Sequence, residues 1–343
     1  MLRSPSRPAL VAEAAAPHLV DYDWKVWGFG ESIGLRALLE LDEHQLGTGF
    51  TARATDYLEF VQGLVRPWCE RLDAAGFKDH VAPGSVLIDL YMEDDEEVYM
   101  DAAVKLAALQ GSFPVERGVA VHRPDLDGLS SLIWVDCMAL DGPFLAALGA
   151  LTQSDALQRR AVDFMLSYAD ALLDPAAGLF RHGFDTATGR QSSCNWARGN
   201  GWALHGLIDT LAELDEGFAG RSRLLELLQA QAAALIALQD DSGLWHTILD
   251  DPDSPLENST AAFFVSGLMC ARRYDYLPAS GPLDDCIKAG LEVLYSAVGA
   301  DGALQVSYAT PVGPRETYVN APTGVFPWGQ GPLILAMLEA TRA

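Results

Sequence analysis

The feature that most constrains this chain is a small-residue-rich, apolar helix start that returns along nearly the whole sequence. Six such segments begin at intervals of roughly 50 to 70 residues, which is long enough for a helical hairpin with its loops. They are VWGFGESIGLRALLEL, APGSVLIDLYM, IWVDCMALDGPFLAALG, WARGNGWALHGLIDTL, ENSTAAFFVSGLMCA and FPWGQGPLILAMLEA. Self-similar hairpins bury their apolar faces by stacking on neighbours, and six that close form a toroid.

Apolar residues recur at helical spacing almost everywhere, and strict alternation over the length of a strand is rare. The sequence therefore predicts an all-α protein built as an (α/α)6 barrel, a six-hairpin toroid with an inner and an outer ring of helices. An open solenoid is the alternative, but obvious polar caps are missing from the sequence. We expect residues 1–20 to be an N-terminal extension and residues 21–343 to form a single (α/α)6-barrel catalytic domain.

Composition limits the partners and the compartment. A formal net charge of −24 at pH 7 disfavours sequence-independent binding to the phosphates of nucleic acids, so we expect no nucleic-acid partner. No apolar run is long enough to predict a membrane span. The five cysteines are widely spaced, without a C-x-x-C pair, and the N-terminus lacks a signal-peptide core. The sequence therefore predicts a reduced, cytoplasmic protein.

The stretch WARGNGW places two tryptophans and an arginine at the start of a helix. Trp196 and Trp202 flank Arg198, and this crowding is typical of a surface that holds a ring and an anion, as a sugar acid would require. In a chain with a large negative charge, an anionic substrate needs such a local cation. The alternative is a glycine-loosened helix start whose tryptophans fill the core.

Two acidic residues are candidates for proton transfer. Asp136 lies between Trp134 and a long apolar helix, where desolvation would favour the protonated carboxyl and hence a proton donor. The same position also suits a helix N-cap. Asp79 precedes another inner helix, so the two carboxylates could approach each other across the barrel opening.

Two histidines lie in loops that lead towards these motifs. His122 precedes Asp136, and His182 precedes the tryptophan stretch, so either could face the opening or be a solvated loop side chain. Neither belongs to a metal-binding spacing, and we expect no metal. The absence of G-x-S-x-G and of the Walker A pattern disfavours a serine hydrolase and a phosphate loop.

Taken together, these segments resemble the unsaturated glucuronyl and rhamnogalacturonyl hydrolases, glycoside hydrolase families 88 and 105, with greater similarity to family 105. The motifs that carry the resemblance are DWKVWGFG, FKDHVAPG, IWVDCMALDGPFLA, RHGFD, WARGNGW, ENSTAAFF and the closing Tyr318…PTGVFPWGQGPLILA. WARGNGW and W-x-D…PFLA are the most specific of them. The resemblance implies an (α/α)6 barrel without a metal or organic cofactor.

The resemblance also implies a reaction and a set of residues. The substrate would be an oligosaccharide left by a polysaccharide lyase, most often of the rhamnogalacturonan type, with a 4,5-unsaturated uronic acid at its non-reducing end. This acid would be removed by hydration of the enol ether, with Asp136 as general acid and base and Asp79 as its partner carboxylate. The positions that match substrate contacts are Trp134, His182, Trp196, Arg198, Trp202 and, more loosely, His122.

One departure and two alternatives stay open. Phe326-Pro327-Trp328-Gly329 stands where family members often have N-D-x-H-G. Because of this departure, the sequence does not define the sugar that is released. A toroid isomerase of the N-acyl-sugar epimerase type would instead need a pair of histidines facing the opening. A non-catalytic carbohydrate-binding toroid would keep the tryptophans without using Asp136, and fold analogy alone does not separate these functions.

Overall fold

The computed structural model describes residues 6–24, 28–48, 56–72, 81–123 and 128–342. Within these ranges the secondary structure is mainly helical. In chain order the helices are α1 (Arg7–Ala15), α2 (Pro17–Val20), α3 (Phe29–Thr48), α4 (Tyr57–Glu70), α5 (Gly84–Asp94), α6 (Glu97–Gln110), α7 (Met138–Leu151), α8 (Asp155–Leu172), α9 (Ala197–Ala212), α10 (Arg221–Ala237), α11 (Asn258–Arg273), α12 (Gly281–Ala297), α13 (Arg315–Val319) and α14 (Pro327–Arg342).

Six of these helices form a closed inner ring. α3 packs on α5, α5 on α7, α7 on α9, α9 on α11, α11 on α14, and α14 returns to α3. Around them, α4, α6, α8, α10 and α12 each pack on an inner helix, and α1 packs on α14. The return contact between α14 and α3 confirms the predicted six-hairpin toroid and rules out the open solenoid.

The two ends of the barrel differ because successive helices alternate between the rings. All inner helices run in one direction, so they begin at one end, the N-terminal opening, and finish at the other, the C-terminal opening. A cavity of about 580 Å³ occupies the C-terminal opening, where Arg36 of α3 and Asp209 of α9 form a two-point ion pair. The candidate site described below lies at the N-terminal opening.

Short antiparallel strands occupy the connections at the N-terminal opening. They are β1 (Val115–Glu116), β2 (Val119–Ala120), β3 (Leu132–Trp134), β4 (Leu173–Asp174), β5 (Leu179–Phe180), β6 (Gly183–Asp185), β7 (Arg190–Gln191), β8 (Trp245–His246), β9 (Leu256–Glu257), β10 (Val306–Ser307) and β11 (Thr323–Gly324). Most pair with the next strand along the chain, whereas β3 pairs with β6 in the three-stranded order β3-β6-β7. This long-range pairing ties two loops of the opening together.

The helices nearest the N-terminus contact the barrel. Ala12, Ala15 and Leu19 are fully buried, and α1 packs on the last inner helix. The side chain of Gln330 in α14 donates to the carbonyl of Ala15, at 3.2 Å. The division of the chain at residue 21 stays a prediction, and the helices on its N-terminal side contribute to the hydrophobic core.

Glycines let the inner helices approach closely. A Cβ atom at Gly206 of α9 would overlap the backbone carbonyl of Met138 at the start of α7. A Cβ at Gly331 of α14 would lie 2.9 Å from the carbonyl oxygen of Ile33 in α3, which is the contact that closes the ring. Since backbone groups at these points have little freedom to move, both positions exclude any larger residue.

We expect Gly206→Ala to lower the free energy of unfolding by about 1–3 kcal/mol, because the added methyl group overpacks the α7–α9 contact. Gly63 in α4 is the matched control, since a Cβ there meets no atom within 4 Å. Gly63→Ala should instead stabilise the protein by up to about 1 kcal/mol through helix propensity. Urea unfolding followed by circular dichroism measures both, and equal effects would contradict the packing argument.

Candidate active site

Asp136 is held at the N-terminal opening by a strand and a tight turn. β3 ends at Trp134, a 3-10 turn covers Val135–Cys137, and α7 begins at Met138. The Val135 N–H donates to the His182 carbonyl at 3.0 Å, which extends the β3–β6 pairing by one residue. No side-chain cap closes the start of α7, so Asp136 is not used as an N-cap in this structure. Its side chain is 3% exposed.

His182 is the polar neighbour of this carboxyl group. Its Nε2 lies 3.4 Å from Asp136 Oδ2, and its Nδ1 lies 2.8 Å from the hydroxyl of Tyr318 in α13. The Gly313 N–H donates to the same hydroxyl, which leaves the Tyr318 proton available for Nδ1 and favours an imidazole whose Nε2–H faces Asp136. Burial raises the pKa of Tyr318 above its usual value, so the phenol remains a neutral donor.

Trp196 and Arg198 continue the wall from His182. The rings of His182 and Trp196 have their centroids 4.3 Å apart, and the Arg198 guanidinium carbon lies 4.8 Å from the Trp196 ring centroid. Both side chains are 2% exposed. These contacts place an aromatic ring between an imidazole and a cation, beside the candidate acid.

The guanidinium of Arg198 is anchored by the loop around β10. Nη1 donates to the carbonyl and the hydroxyl of Ser307, at 3.0 and 2.8 Å, and Nη2 donates to the Tyr308 carbonyl at 2.6 Å. Burial lowers the pKa of Arg198, while the carboxylates of Glu257, at 3.9 Å, and Asp136 oppose this shift. The cation is therefore fixed in position, and its predicted role in binding a substrate carboxylate stays a prediction.

The two other predicted tryptophans are Trp134 and Trp202. Trp134 ends β3 next to Asp136 and is partly buried. Trp202 is one helical turn beyond Arg198 on α9 and packs edge-on against Phe263, with ring centroids 4.6 Å apart. It also lines a small cavity of about 40 Å³ between the inner helices α3, α5, α7 and α9. The contacts of Trp134 and Trp202 with a substrate stay predictions.

The side chain of His122 pairs with a buried carboxylate. Its Nε2 lies 2.9 Å from Asp141 Oδ2, and that carboxylate also accepts hydrogen bonds from Tyr168 at 2.5 Å and from Gln110 at 2.6 Å. Burial by itself lowers the pKa of His122, but the Asp141 carboxylate raises it well above the usual value. The pair therefore joins the loop before Asp136 to α7 as a buried ion pair. A substrate contact by His122 stays a prediction.

Asp79, the predicted partner carboxylate, lies outside the described residues. Sequence reasoning assigned no role to Tyr318 or to Ser307, although both hold predicted site residues in position. Tyr318 belongs to the closing motif of the family resemblance, but no local signal shows that it meets His182, 136 residues away, or that Ser307 meets Arg198, 109 residues away. Only the closed ring brings these segments together.

The described residues contain neither a metal-binding cluster nor a helix that could span a membrane. No group of three or more His, Cys, Asp or Glu side chains there is arranged to hold a metal ion. Among the same residues, no helix has the length and apolar character needed to cross a bilayer.

The closed barrel places the protein among the (α/α)6-barrel proteins by fold. It is similar to a possible member of the GH105 family from Klebsiella pneumoniae, with a TM-score of 0.84 and 25% identity over 99% of this chain and 96% of that one. It is also similar to an unsaturated glucuronyl hydrolase from Bacillus sp. GL1, with a TM-score of 0.75 and 18% identity over 98% of this chain and 97% of that one.

The sequence profile of Glycosyl Hydrolase Family 88 matches residues 12–343, and the chain belongs to this family. Over 298 residues it is 28% identical to the unsaturated rhamnogalacturonyl hydrolase YesR of Bacillus subtilis, covering 83% of this chain and 84% of YesR. The predicted family, its fold and the assignment as a glycoside hydrolase are therefore confirmed.

The His122–Asp141 pair predicts a dependence of stability on pH. In the unfolded chain His122 titrates near pH 6.5, whereas Asp141 keeps it protonated in the fold to higher pH. The folded state then binds more protons, so this contribution to the free energy of unfolding is complete below about pH 6.5 and falls as the pH rises towards the folded pKa, by up to about 1.4 kcal/mol per pH unit.

Urea unfolding between about pH 6 and 9 tests this expectation. The matched control is the neutral pair His122→Gln with Asp141→Asn, which keeps hydrogen-bonding groups but cannot titrate. The wild type should lose stability with rising pH more steeply than the double variant. Parallel profiles would show that the two side chains are not an ion pair.

Proposed function

We propose that this glycoside hydrolase removes a 4,5-unsaturated uronic acid from the non-reducing end of oligosaccharides of the rhamnogalacturonan type. The observation that carries the proposal is a buried Asp136 carboxyl group, 3.4 Å from His182, at the opening of the barrel. Beside it stand an aromatic side chain, Trp196, and a fixed cation, Arg198. A ring with a carboxylate fits such a wall, and the name of the relative YesR refers to the same class of substrate.

In the proposed reaction, Asp136 acts on the double bond rather than on the anomeric carbon. Its proton goes to C4, and the electron pair of the enol ether forms the new C–H bond, which leaves positive charge at C5 and the ring oxygen. Water adds to C5 and gives its proton to the Asp136 carboxylate, which restores the acid. The hemiketal opens by breaking the bond between C5 and the ring oxygen, and the resulting hemiacetal at C1 expels the leaving sugar.

The neighbours of Asp136 support this cycle. After the first proton transfer the carboxylate is buried, and the imidazole of His182 at 3.4 Å is close enough to stabilise it. Tyr318 fixes the orientation of that imidazole through Nδ1, as orienting groups do in other acid–base pairs. In this proposal Asp79 remains the partner carboxylate, as the family resemblance implies.

The alternative isomerase is less well supported. It needs two histidines that face the opening, and of the two sequence candidates His122 is engaged by Asp141. A binding protein without catalysis would not need a carboxyl group buried against an imidazole. The experiments below distinguish all three functions, since only the hydrolase consumes the double bond and releases a sugar.

We expect the purified protein to consume an unsaturated disaccharide from rhamnogalacturonan, measured as loss of the ultraviolet absorbance of the conjugated double bond. Asp136→Asn should lower kcat by roughly 10²- to 10⁴-fold, because the amide cannot transfer the proton. Asp163→Asn, at an exposed position of α8, is the matched control and should retain wild-type turnover. Near-normal turnover by a folded Asp136→Asn protein would refute the assignment, and disaccharides from ulvan and glycosaminoglycans test the substrate class.

Tyr318→Phe tests the orienting role of the phenol. Without its hydroxyl the His182 ring loses the Nδ1 hydrogen bond, so we expect kcat to fall about tenfold while KM changes little. The pH profile of kcat should also move, which a merely structural defect would not cause. Tyr295→Phe on the outer helix α12 is the control, and matching kinetics for the two variants would remove Tyr318 from the mechanism.

A further inference from the structure

Glu257 is a buried carboxylate that the reaction steps above do not use. It ends β9, directly before the start of α11, and is 8% exposed. Its Oε1 accepts a hydrogen bond from the Ser307 N–H at 2.8 Å, and its Oε2 accepts one from the Ser259 hydroxyl. The same carboxylate lies 3.9 Å from Nη1 of Arg198. Since a buried charge is costly without a partner, the carboxylate and the guanidinium compensate each other.

The guanidinium is held in place without a hydrogen bond to this carboxylate. Its Nη1 donates to the carbonyl and hydroxyl of Ser307 and, at 3.3 Å, to the hydroxyl of Ser259. Its Nη2 donates to the carbonyl of Tyr308. All these acceptors are neutral oxygens, whereas the Glu257 oxygen at 3.9 Å is beyond hydrogen-bond distance. Different groups therefore anchor Arg198 and compensate its charge.

The strength of this cation matters for both ends of the proposed reaction. The uronate carboxylate takes no part in the bond changes at C4 and C5, so substrate and product carry the same anion. Arg198 is 2% exposed, and charges attract more strongly where water is excluded. A buried cation without a counterion would hold the substrate and the product equally firmly. A carboxylate at 3.9 Å weakens that attraction and so favours release.

We propose that Glu257 is a specificity-determining residue, whose negative charge limits how strongly Arg198 attracts the carboxylate of the uronic acid. This inference rests on the proposed function, because that function supplies the anion. Through the Ser307 N–H the same side chain also holds β10 beside the guanidinium. When the charge of Glu257 is removed, the bound uronate becomes the counterion of Arg198, and its affinity rises.

Glu257→Gln separates the charge of the side chain from its shape. The amide oxygen can accept the Ser307 N–H, and the amide nitrogen can donate to the Ser259 hydroxyl oxygen, so both contacts are retained. All proteins compared carry Asp136→Asn, because without turnover Kd can be measured by isothermal titration calorimetry. The ligands are the unsaturated rhamnogalacturonan disaccharide and its methyl ester, which has the same rings without the charge.

We expect Glu257→Gln to lower Kd for the acid by roughly 3- to 30-fold and to leave Kd for the ester within about twofold. Damage to the site would weaken the binding of both ligands, so tighter binding of the acid alone cannot result from a structural defect. Glu93→Gln, at an exposed position of α5 beside the C-terminal opening, is the matched control. It changes the net charge of the chain equally and should alter neither Kd.

Glu257→Asp provides a second variant, which keeps the charge and shortens the side chain. The ratio of the two Kd values should stay within about twofold of its value before this substitution, although both Kd values rise. A larger change in the ratio would overturn the role of the charge, even where circular dichroism shows that Glu257→Gln does not fold. The role is also overturned if Glu257→Gln binds the acid no more tightly, or gains equally for the ester.

Turnover by the wild type tests the proposed function separately. If the wild type does not consume the double bond of the acid, the proposed function fails. If it does, and the Asp136→Asn protein binds the acid and the ester with the same Kd in both charge states of residue 257, the assignment of Glu257 fails while the function stands.

Discussion

The close backbone contacts within the inner ring are the constraint on which the rest of the structure depends. Gly206 lets α9 approach α7, and Gly331 lets α14 approach α3, which closes the ring. The closed ring then brings loops from distant hairpins to one opening, where β3 pairs with β6 and Arg198 reaches the β10 strand. Asp136, His182 and Arg198 are positioned by elements that do not meet in sequence. A larger residue at either glycine would therefore displace the inner helices and, with them, the loops that carry the site.

The electrostatics of the site follow from burial in an acidic chain. With a net charge of −24, the protein needs a local cation to hold an anionic ring, and Arg198 is the residue predicted to supply it. Its guanidinium is fixed by Ser307 and Tyr308 and balanced by Glu257, so it contributes charge without mobility. The His122–Asp141 ion pair attaches the loop before Asp136 to α7. Preorganised charges of this kind stabilise developing charge without a cost of reorientation.

Aromatic side chains at the N-terminal opening join the candidate site to the loop around β10. Asp136 and Arg198 are the side chains predicted to meet the unsaturated uronate. Tyr308 packs edge-on against Phe326, and its carbonyl accepts a hydrogen bond from Arg198.

The sequence by itself determined the helical hairpins, their number and the motifs at the start of the inner helices, because periodicity and spacing are local properties. It also indicated Asp136 and the WARGNGW stretch as candidate site residues. The match to the family profile then confirmed the class of enzyme. Only the tertiary structure decided that His182 contacts Asp136, that His122 instead pairs with Asp141, and that Tyr318 and Ser307 hold the wall in place. The physical reason is that these contacts join side chains from different hairpins. Their distances are set by ring closure, which no local pattern encodes.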